Sequence, residues 1–282
     1  MNPRALQQAI VRMMYDPAFL AAVHGARPVP GLGEAERALL RRVDRRAFAT
    51  DPFRRARAVQ ALVEEFPASA AAIGLPRVDA FLSSPAFHAC VTGRGALALA
   101  FATWLKDQAG GAGAIEAALA DLRRRPPVAT PGPTAPRRRP PAATPDPAAS
   151  PRDGSIAGAL VCSPRFAPLL VPAGTLEWYE ATRAWLGPTP LQRLAEHGPR
   201  PSPPRRGRPR GVDDEALLLE AGGDGDMSLG TASPALVHLL RHAGRPRTRA
   251  VLEAEAVARG ATPREAPEVI DDLLADGLLV PA

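Results

Sequence analysis

The sequence predicts an α+β protein with an all-α N-terminal domain, a linker and a C-terminal domain that includes a small β-sheet. Through most of residues 1–125, apolar residues recur at three- and four-residue spacing, the period of an amphipathic helix. Residues 126–152 are largely Pro, Ala, Thr and Arg, with too few apolar side chains to offset the entropy of ordering. Residues 153–282 mix short apolar runs with helical segments, which predicts strands as well as helices.

Helix-boundary residues divide the first domain into six or seven predicted helices. Asp16 and Ser84 each stand directly before a Pro, and such a pair is typical of a capped helix start. The Gly-Gly-Ala-Gly segment 110–113 is expected to be a turn, followed by a last helix over 114–125. Since no strand pattern occurs here, the domain should be all-α.

An aromatic-rich stretch, 62–105, is predicted to form the core of this domain. Aromatic side chains bury the most apolar surface per residue, and they make up only 5% of the chain. Five of the eight Phe lie in this stretch or just upstream: Phe53, Phe66, Phe81, Phe87 and Phe101. Pro67 is expected to end the helix that carries Phe66.

The C-terminal domain begins with two predicted strands, 156–162 and 166–171, and a helix that starts at Thr175. Further on, 216–220 and 226–229 flank a Gly-Gly-Asp-Gly segment, which is typical of a β-hairpin. The hairpin is followed by three predicted helices and a short strand, at 233–242, 248–259, 262–275 and 278–280. A hairpin followed by three helices is the plan of a small winged-helix module.

The positive charge lies in the connecting segments. The net charge is +6 and the pI about 10.4. Seven Arg face one Asp between 123 and 152, and five more Arg lie between 200 and 210, so the rest of the chain carries about −5. We therefore expect no specific nucleic-acid partner; a basic arm that touches phosphate nonspecifically is the alternative to a solvated linker.

Cysteine content and hydropathy argue against a disulfide-rich, Cys-metal or membrane-spanning protein. Cys90 and Cys162 are too few and too far apart for a disulfide framework or a Cys-based metal site. The N-terminus lacks a continuous apolar segment, and no run reaches about 18 apolar residues, the length that spans a membrane. We expect a cytoplasmic protein without a membrane partner.

No catalytic constellation is evident in the sequence. His238 and His242 could share one helix face as half of a metal site, but no third ligand is close in sequence, and a polar helix surface is the alternative. His88 and Cys90 are two residues apart on a predicted helix and should point in different directions. We therefore expect no metal or cofactor in this chain.

Charge also argues against DNA binding by the predicted winged helix. Residues 250–277, which would include a recognition helix, carry a net charge of −5. Such a surface would repel a duplex, because recognition helices present Arg, Lys or Asn to bases and phosphates. A module of this kind can instead accept an extended peptide along its hairpin edge, where main-chain hydrogen bonds provide affinity.

Three segments resemble a known family of partner proteins. They are LVEEFPASAAAIG with VDAFLSSPAFHACVTGRGALALAFATWL, then GALVCSPRFAPLLVPAGTLEWYEATRAWLG, and the tail 216–280. The sequence resembles the partner subunits of multinuclear non-haem iron oxidative enzymes in ribosomal-peptide (RiPP) biosynthesis, a family that includes the methanobactin-maturation partner subunit. Its C-terminal part is similar to the winged-helix peptide-recognition module of those pathways. The long linker and the Arg-rich loop 198–211 depart from the family pattern.

The resemblance implies a non-catalytic adaptor in a hetero-oligomer. A TIM-barrel partner enzyme would hold the iron, and this chain would bind a short ribosomal precursor peptide and present it for oxidation. The implied enzyme-facing residues are Phe66, Pro67, Phe81, Ser84, Phe87 and His88. The implied peptide-binding residues are Asp226, Met227, Ser228, Leu229, Val269 and Asp272, and their acidic members would suit a peptide with Lys or Arg. A winged-helix transcription regulator with a helical sensor domain and an independent enzyme are the alternatives.

Overall fold

The computed structural model describes residues 2–48, 53–105, 108–125, 158–199, 214–222 and 226–282. This part of the chain is mixed helix and sheet, which confirms the α+β prediction at that level. It contains fourteen α-helices, one short 3-10 helix and six strands in two three-stranded sheets. None of the described helices combines the length and the apolar character needed to cross a membrane.

The chain forms two compact units, each built from two segments. Unit 1 consists of Met1–Asp121 and Val171–Glu215, and unit 2 of Leu122–Leu170 and Ala216–Ala282. The described residues 171–199 thus belong to unit 1, whereas the sequence placed them in the second domain. The predicted linker, 126–152, lies outside the described residues.

Apart from its boundary residues Val171 and Glu215, the described secondary structure of unit 1 is helical, with a 3-10 helix at Arg45–Phe48 between α3 and α4. Its α-helices are α1 Pro3–Tyr15, α2 Pro17–His24, α3 Glu34–Arg41, α4 Arg54–Glu65, α5 Pro67–Ile73, α6 Leu75–Phe81, α7 Pro85–Thr92, α8 Leu97–Leu105, α9 Gly110–Leu122, α10 Thr175–Leu186 and α11 Pro190–His197.

Both predicted helix caps of unit 1 are confirmed. The Asp16 carboxylate accepts a hydrogen bond from the Phe19 N–H at 3.0 Å, at the start of α2. The Ser84 hydroxyl accepts one from the Phe87 N–H at 3.2 Å, at the start of α7. Each bond satisfies a backbone donor that the first helical turn leaves without an intrahelical partner.

The prediction of a turn at 110–113 was wrong, because these residues form the first turn of α9. The glycines serve close packing instead. A Cβ at Gly111 would lie 2.6 Å from the Thr175 side chain of α10, so only Gly allows the two helices to approach this closely. Pro67 does follow the end of α4, as predicted, but it also begins α5.

The predicted aromatic core is confirmed in unit 1 with one exception, since Phe53 is 67% exposed. Phe66, Phe81 and Phe101 have no exposed surface, and their rings form edge-to-face pairs with centroids 5.0 to 5.1 Å apart. Leu186 of α10 and Leu194 of α11 belong to the same cluster. This shared burial ties the two later helices to unit 1.

Unit 2 combines six strands with three helices. They are β1 Ala159–Cys162, β2 Phe166–Val171, β3 Glu215–Ala221, β4 Met227–Thr231, α12 Pro234–His242, β5 Arg247–Thr248, α13 Arg249–Ala258, α14 Ala266–Ala275 and β6 Leu279–Pro281. The two sheets have the strand orders β5-β1-β6 and β2-β3-β4. β3 and β4 form the predicted antiparallel hairpin, with Leu219 opposite Leu229; residues 223–225 of its turn lie outside the described part.

The three helices of unit 2 pack on a core shared by both sheets. Leu240, Leu252 and Ile270, one from each helix, are fully buried. Leu160 of β1 and Leu279 of β6 complete this cluster, and Leu218 of β3 packs against it. The hairpin therefore joins the helical core through β3, while β4 lies farther out in the sheet.

Candidate functional site

The candidate peptide-binding surface begins with β4, the edge strand of its sheet. In the strand order β2-β3-β4, the described strands pair with β4 on one side only. Met227 and Leu229 are half-buried, whereas Ser228, Gly230 and Thr231 are exposed. A strand edge of this kind presents a row of main-chain donors and acceptors to which another extended chain can pair.

The hydrogen-bond pattern identifies which groups of β4 face outward. The Gly222 N–H donates to the Asp226 carbonyl at 2.7 Å, and the Ala232 N–H donates to the Ala216 carbonyl at 2.9 Å. Bonded and non-bonded pairs alternate in an antiparallel ladder. The even-numbered residues of β4 therefore bond to β3, and the main-chain groups of the odd-numbered residues point away from it.

The outward-facing residues of β4 are thus Met227, Leu229 and Thr231. Two of them belong to the predicted site, while the main chains of Asp226 and Ser228, also predicted, are directed to β3. Thr231 was missed, because the sequence shows where a hairpin lies but not which alternate residues face its neighbour. Its position opposite Leu217 in the register reveals it.

The other half of the predicted peptide site lies on α14. Val269 is half-buried and packs against the helical core of unit 2. Asp272 is exposed. Val269, Asp272 and β4 all lie in unit 2. The hairpin and α14 are connected through the core, because Leu218 of β3 packs against the cluster to which α14 contributes.

The exposed surface around α14 is acidic. Of its charged residues, Asp271 forms an ion pair with Arg249 at 2.7 Å, and Arg249 also bonds Glu253 at 2.7 Å. The Arg249 guanidinium lowers the pKa of Asp271 through their hydrogen bond. Since α14 itself carries only acidic charged residues, it favours a basic ligand over a phosphate backbone.

The predicted enzyme-facing residues of unit 1 are mostly interior. Phe66, Phe81 and Phe87 are 0 to 2% exposed, and His88 is 7% exposed. A partner protein therefore cannot contact these side chains directly. They could affect a docking surface only by supporting the exposed residues that pack over them. An enzyme-facing surface in this region would therefore have to be formed by the exposed residues that cover these rings.

Pro67 and Ser84 are the half-exposed members of that predicted set. Both also begin helices, Pro67 at the first position of α5 and Ser84 as the cap of α7. Their roles in folding are therefore clear from the structure, and their role towards a partner stays a prediction.

His88 and Cys90 do not form an activated thiol pair. Burial lowers the pKa of His88, with Arg12 adding to the effect, and burial raises the pKa of the Cys90 thiol. A nucleophilic cysteine needs the opposite change, a thiol pKa lowered by a cationic neighbour. Both shifts therefore disfavour an ion pair between a Cys90 thiolate and a protonated His88.

The His238 and His242 pair gains one acidic neighbour in the structure. Nδ1 of His242 lies 3.9 Å from the Glu255 carboxylate of α13. Among the described residues, however, no group of three or more His, Cys, Asp or Glu side chains is arranged to hold a metal ion. The contact with Glu255 is an ion pair only when His242 is protonated.

A buried carboxylate, Glu116 of α9, was missed in the sequence. Glu116 is 1% exposed, and its two oxygens accept hydrogen bonds from the N–H groups of Ala68 and Ser69, each at 2.8 Å. It thus caps α5, whose own first residues provide no side-chain cap. Its signal in the sequence is a single Glu on a helix face otherwise built from small and apolar residues, such as Ala112 and Ala120.

Burial raises the pKa of Glu116 to about 7. The hydrogen bonds from Ser69 and Ala68, and the charge of Arg183 on α10, oppose this effect. In turn Glu116 contributes to the raised pKa of Arg183, after the larger effect of Tyr179. We assign Glu116 a structural role, because its oxygens are directed at backbone donors.

Comparison of the chain with protein-family models, with curated proteins and with solved structures gave no match. The function is therefore inferred from the surfaces of the two units.

Proposed function

We propose that this protein is a non-catalytic subunit that binds a ribosomal precursor peptide and presents it to a multinuclear iron oxidative enzyme. The observation that carries the proposal is the outer edge of β4, to which no described strand pairs and at which the main-chain groups of Met227, Leu229 and Thr231 are directed outward. An extended peptide can add to this edge as a fourth strand.

We also propose that unit 2 is a winged-helix module adapted to peptides. Three helices that pack with strands β1 and β6 support this assignment. The acidic face of α14 supports a peptide rather than DNA, because a recognition helix without Arg or Lys lacks the groups that read bases and neutralise phosphates. A precursor peptide with Lys or Arg near its bound segment fits this charge.

Unit 1 is proposed to dock the enzyme. This step rests on the resemblance of residues 62–105, and the buried aromatic cluster of unit 1 is the scaffold that would hold the docking surface. Holding the peptide beside the enzyme raises its effective concentration at the active site without any chemistry in this chain. The iron belongs to the partner in this scheme.

Peptide binding can be tested with two variants of one residue. Leu229→Pro removes an outward N–H from β4 and leaves the ladder with β3 intact, since Pro is tolerated at the outward positions of an edge strand. Leu229→Ala removes the same side chain but keeps the N–H, so it is the matched control. Peptides are selected on the full-length protein from a phage-displayed library of random 12-residue sequences, and affinities are measured by fluorescence anisotropy.

We expect selected peptides to be basic and to bind Leu229→Pro about three- to tenfold more weakly than Leu229→Ala, since one main-chain hydrogen bond is lost. Chelation with EDTA should leave the affinity unchanged. Equal affinity for the two variants would contradict strand addition at β4. Selection of no peptide, together with sequence-specific binding of duplex DNA at physiological salt, would overturn the proposal in favour of a transcription regulator.

A further inference from the structure

Strand β4 contains a glycine, Gly230, close to its end. A glycine inside a strand is unfavourable, because it has no side chain to pack and loses much conformational freedom on folding. The φ angle of Gly230 is not in the left-handed region that favours glycine. A Cβ placed on it would have no atom of the described residues within 4 Å, apart from its chain neighbours. Neither the backbone conformation nor the packing of the described chain therefore requires glycine at this position.

The space beside Gly230 is accessible and has an apolar neighbour. In the register of the hairpin, Gly230 lies opposite Leu218 of β3. Residues directly opposite each other in an antiparallel pair share one face of the sheet. Leu218 is half-buried and packs against the helical core of unit 2, whereas Gly230 is exposed. The face of β4 that carries Gly230 is therefore flat at this residue, and Leu218 borders the open space.

The hydrogen-bond pattern of the hairpin determines how an added strand meets Gly230. The even-numbered residues of β4 bond to β3, so the main-chain groups of Gly230 are directed away from the outer edge. A residue opposite Gly230 in an antiparallel added strand therefore belongs to a non-hydrogen-bonded pair, with its Cα only about 4.5 Å from that of Gly230. Since neighbouring strands are about 4.8 Å apart, this residue lies about 10 Å from the backbone of Leu218. A large ring that crosses Gly230 can meet the Leu218 side chain over this distance.

We propose that Gly230 selects peptides that place an aromatic residue opposite it. This inference rests on the proposed addition of a peptide strand at β4. The ring lies flat over the Gly230 Cα and contacts Leu218, and it provides the cross-strand packing that glycine lacks. Ser228, the next residue on the same face, has a side chain of its own and lies opposite Glu220. Since Glu220 pairs with Arg165, the apolar space is expected at Gly230 and not at Ser228.

The probes are the 12-residue peptides selected by phage display on the full-length protein. Cross-strand contacts between Hα protons, measured by NMR on the full-length protein, identify the peptide residue opposite Gly230, because the Hα protons of a non-hydrogen-bonded pair approach each other closely. That residue is then replaced by Phe or by Ala in the same peptide. We expect the Phe peptide to bind about fivefold more tightly than the Ala peptide. An Hα signal of Gly230 should move upfield only with the Phe peptide, because this proton lies over the face of the ring.

A variant and its control locate the preference. Gly230→Ser adds a side chain where the ring should lie, and it should reduce the advantage of the Phe peptide to less than about twofold. Ser228→Ala, on the same face of β4, should leave the advantage unchanged.

The outcomes separate this inference from the proposed function. If selected peptides slow amide exchange at Leu229 and Thr231 but the Phe and Ala peptides bind equally, strand addition stands and the role of Gly230 is overturned. An advantage of the Phe peptide that persists in Gly230→Ser overturns it as well. If no selected peptide slows exchange at these two amides, strand addition at β4 fails, and the inference from Gly230 fails with it.

Discussion

Replacement of Glu116 by Gln should change how the stability of unit 1 depends on pH. Because burial raises the pKa of Glu116 from 4.5 to about 7, the folded state holds its proton at pH values where the unfolded state has released it. Its contribution to stability is therefore fully present below about pH 4.5 and is lost as the pH rises through 7. A shift of this size corresponds to about 3 kcal/mol.

Gln resembles the protonated carboxyl in shape and does not titrate. At pH 5 we expect the wild type to be more stable than Glu116→Gln by about 1 kcal/mol, because the Gln amide can accept from only one of the N–H groups of Ala68 and Ser69. Between pH 5 and pH 8 the difference in unfolding free energy should move by up to about 3 kcal/mol in favour of the Gln variant.

Denaturation by urea, followed by tryptophan fluorescence, measures this difference. All three Trp of the chain, Trp104, Trp178 and Trp185, lie in unit 1, so the signal reports that unit. Glu180→Gln replaces an exposed carboxylate of α10 and should show no pH-dependent difference from the wild type. A wild-type-minus-Glu116→Gln difference that stays constant from pH 5 to pH 8 would refute the raised pKa.

Two further predictions concern local packing and capping. Gly111→Ala should destabilise unit 1 by about 1 to 3 kcal/mol, because the new Cβ would lie 2.6 Å from Thr175. Gly113→Ala is the control, and it should have a smaller effect in the same denaturation assay because its Cβ would lie 3.2 Å from Ala109. Equal effects of the two substitutions would contradict the argument that Gly111 is required for close packing. Ser84→Ala should lower the stability of unit 1 by about 1 kcal/mol through loss of the α7 cap, while Ser84→Asp should retain most of it; similar losses in both would argue against capping.

Features determined by neighbouring residues could be predicted from the sequence. Asp16 and Ser84 cap helices through bonds that span three residues, and both caps were correct. The apolar run 166–171 became β2 with the same limits. In these cases the propensity of the segment and its tertiary surroundings favour the same structure.

Features determined by distant residues could not be predicted. Helix α5 begins at Pro67 and takes its cap from Glu116, nearly fifty residues later in the chain, and its buried Ala and Ser residues show no amphipathic period. The local propensity of Gly111 favours a turn. The residue nevertheless lies in a helix, at a point where Thr175 packs so closely that there is no room for a Cβ. Likewise, only the tertiary structure shows that Leu186 and Leu194 join the core of unit 1.

The candidate site was predicted only in part for a similar reason. The sequence located the hairpin, since a Gly-rich turn between apolar runs is a local signal. Which main-chain groups face outward depends on the register with β3, which directs the main chains of Asp226 and Ser228 to β3 and adds Thr231 to the outward-facing residues. The aromatic residues predicted to face an enzyme are buried, because large apolar rings gain more from the core than from solvent.

The most direct test of peptide addition at β4 is amide hydrogen exchange, resolved by residue, with and without a selected peptide. In the free protein, the amides of Ser228 and Gly230 should be protected by β3, and those of Leu229 and Thr231 should exchange faster. We expect peptide binding to slow exchange at Leu229 and Thr231. If the peptide binds while these two amides exchange as before, the claim that β4 receives it is contradicted.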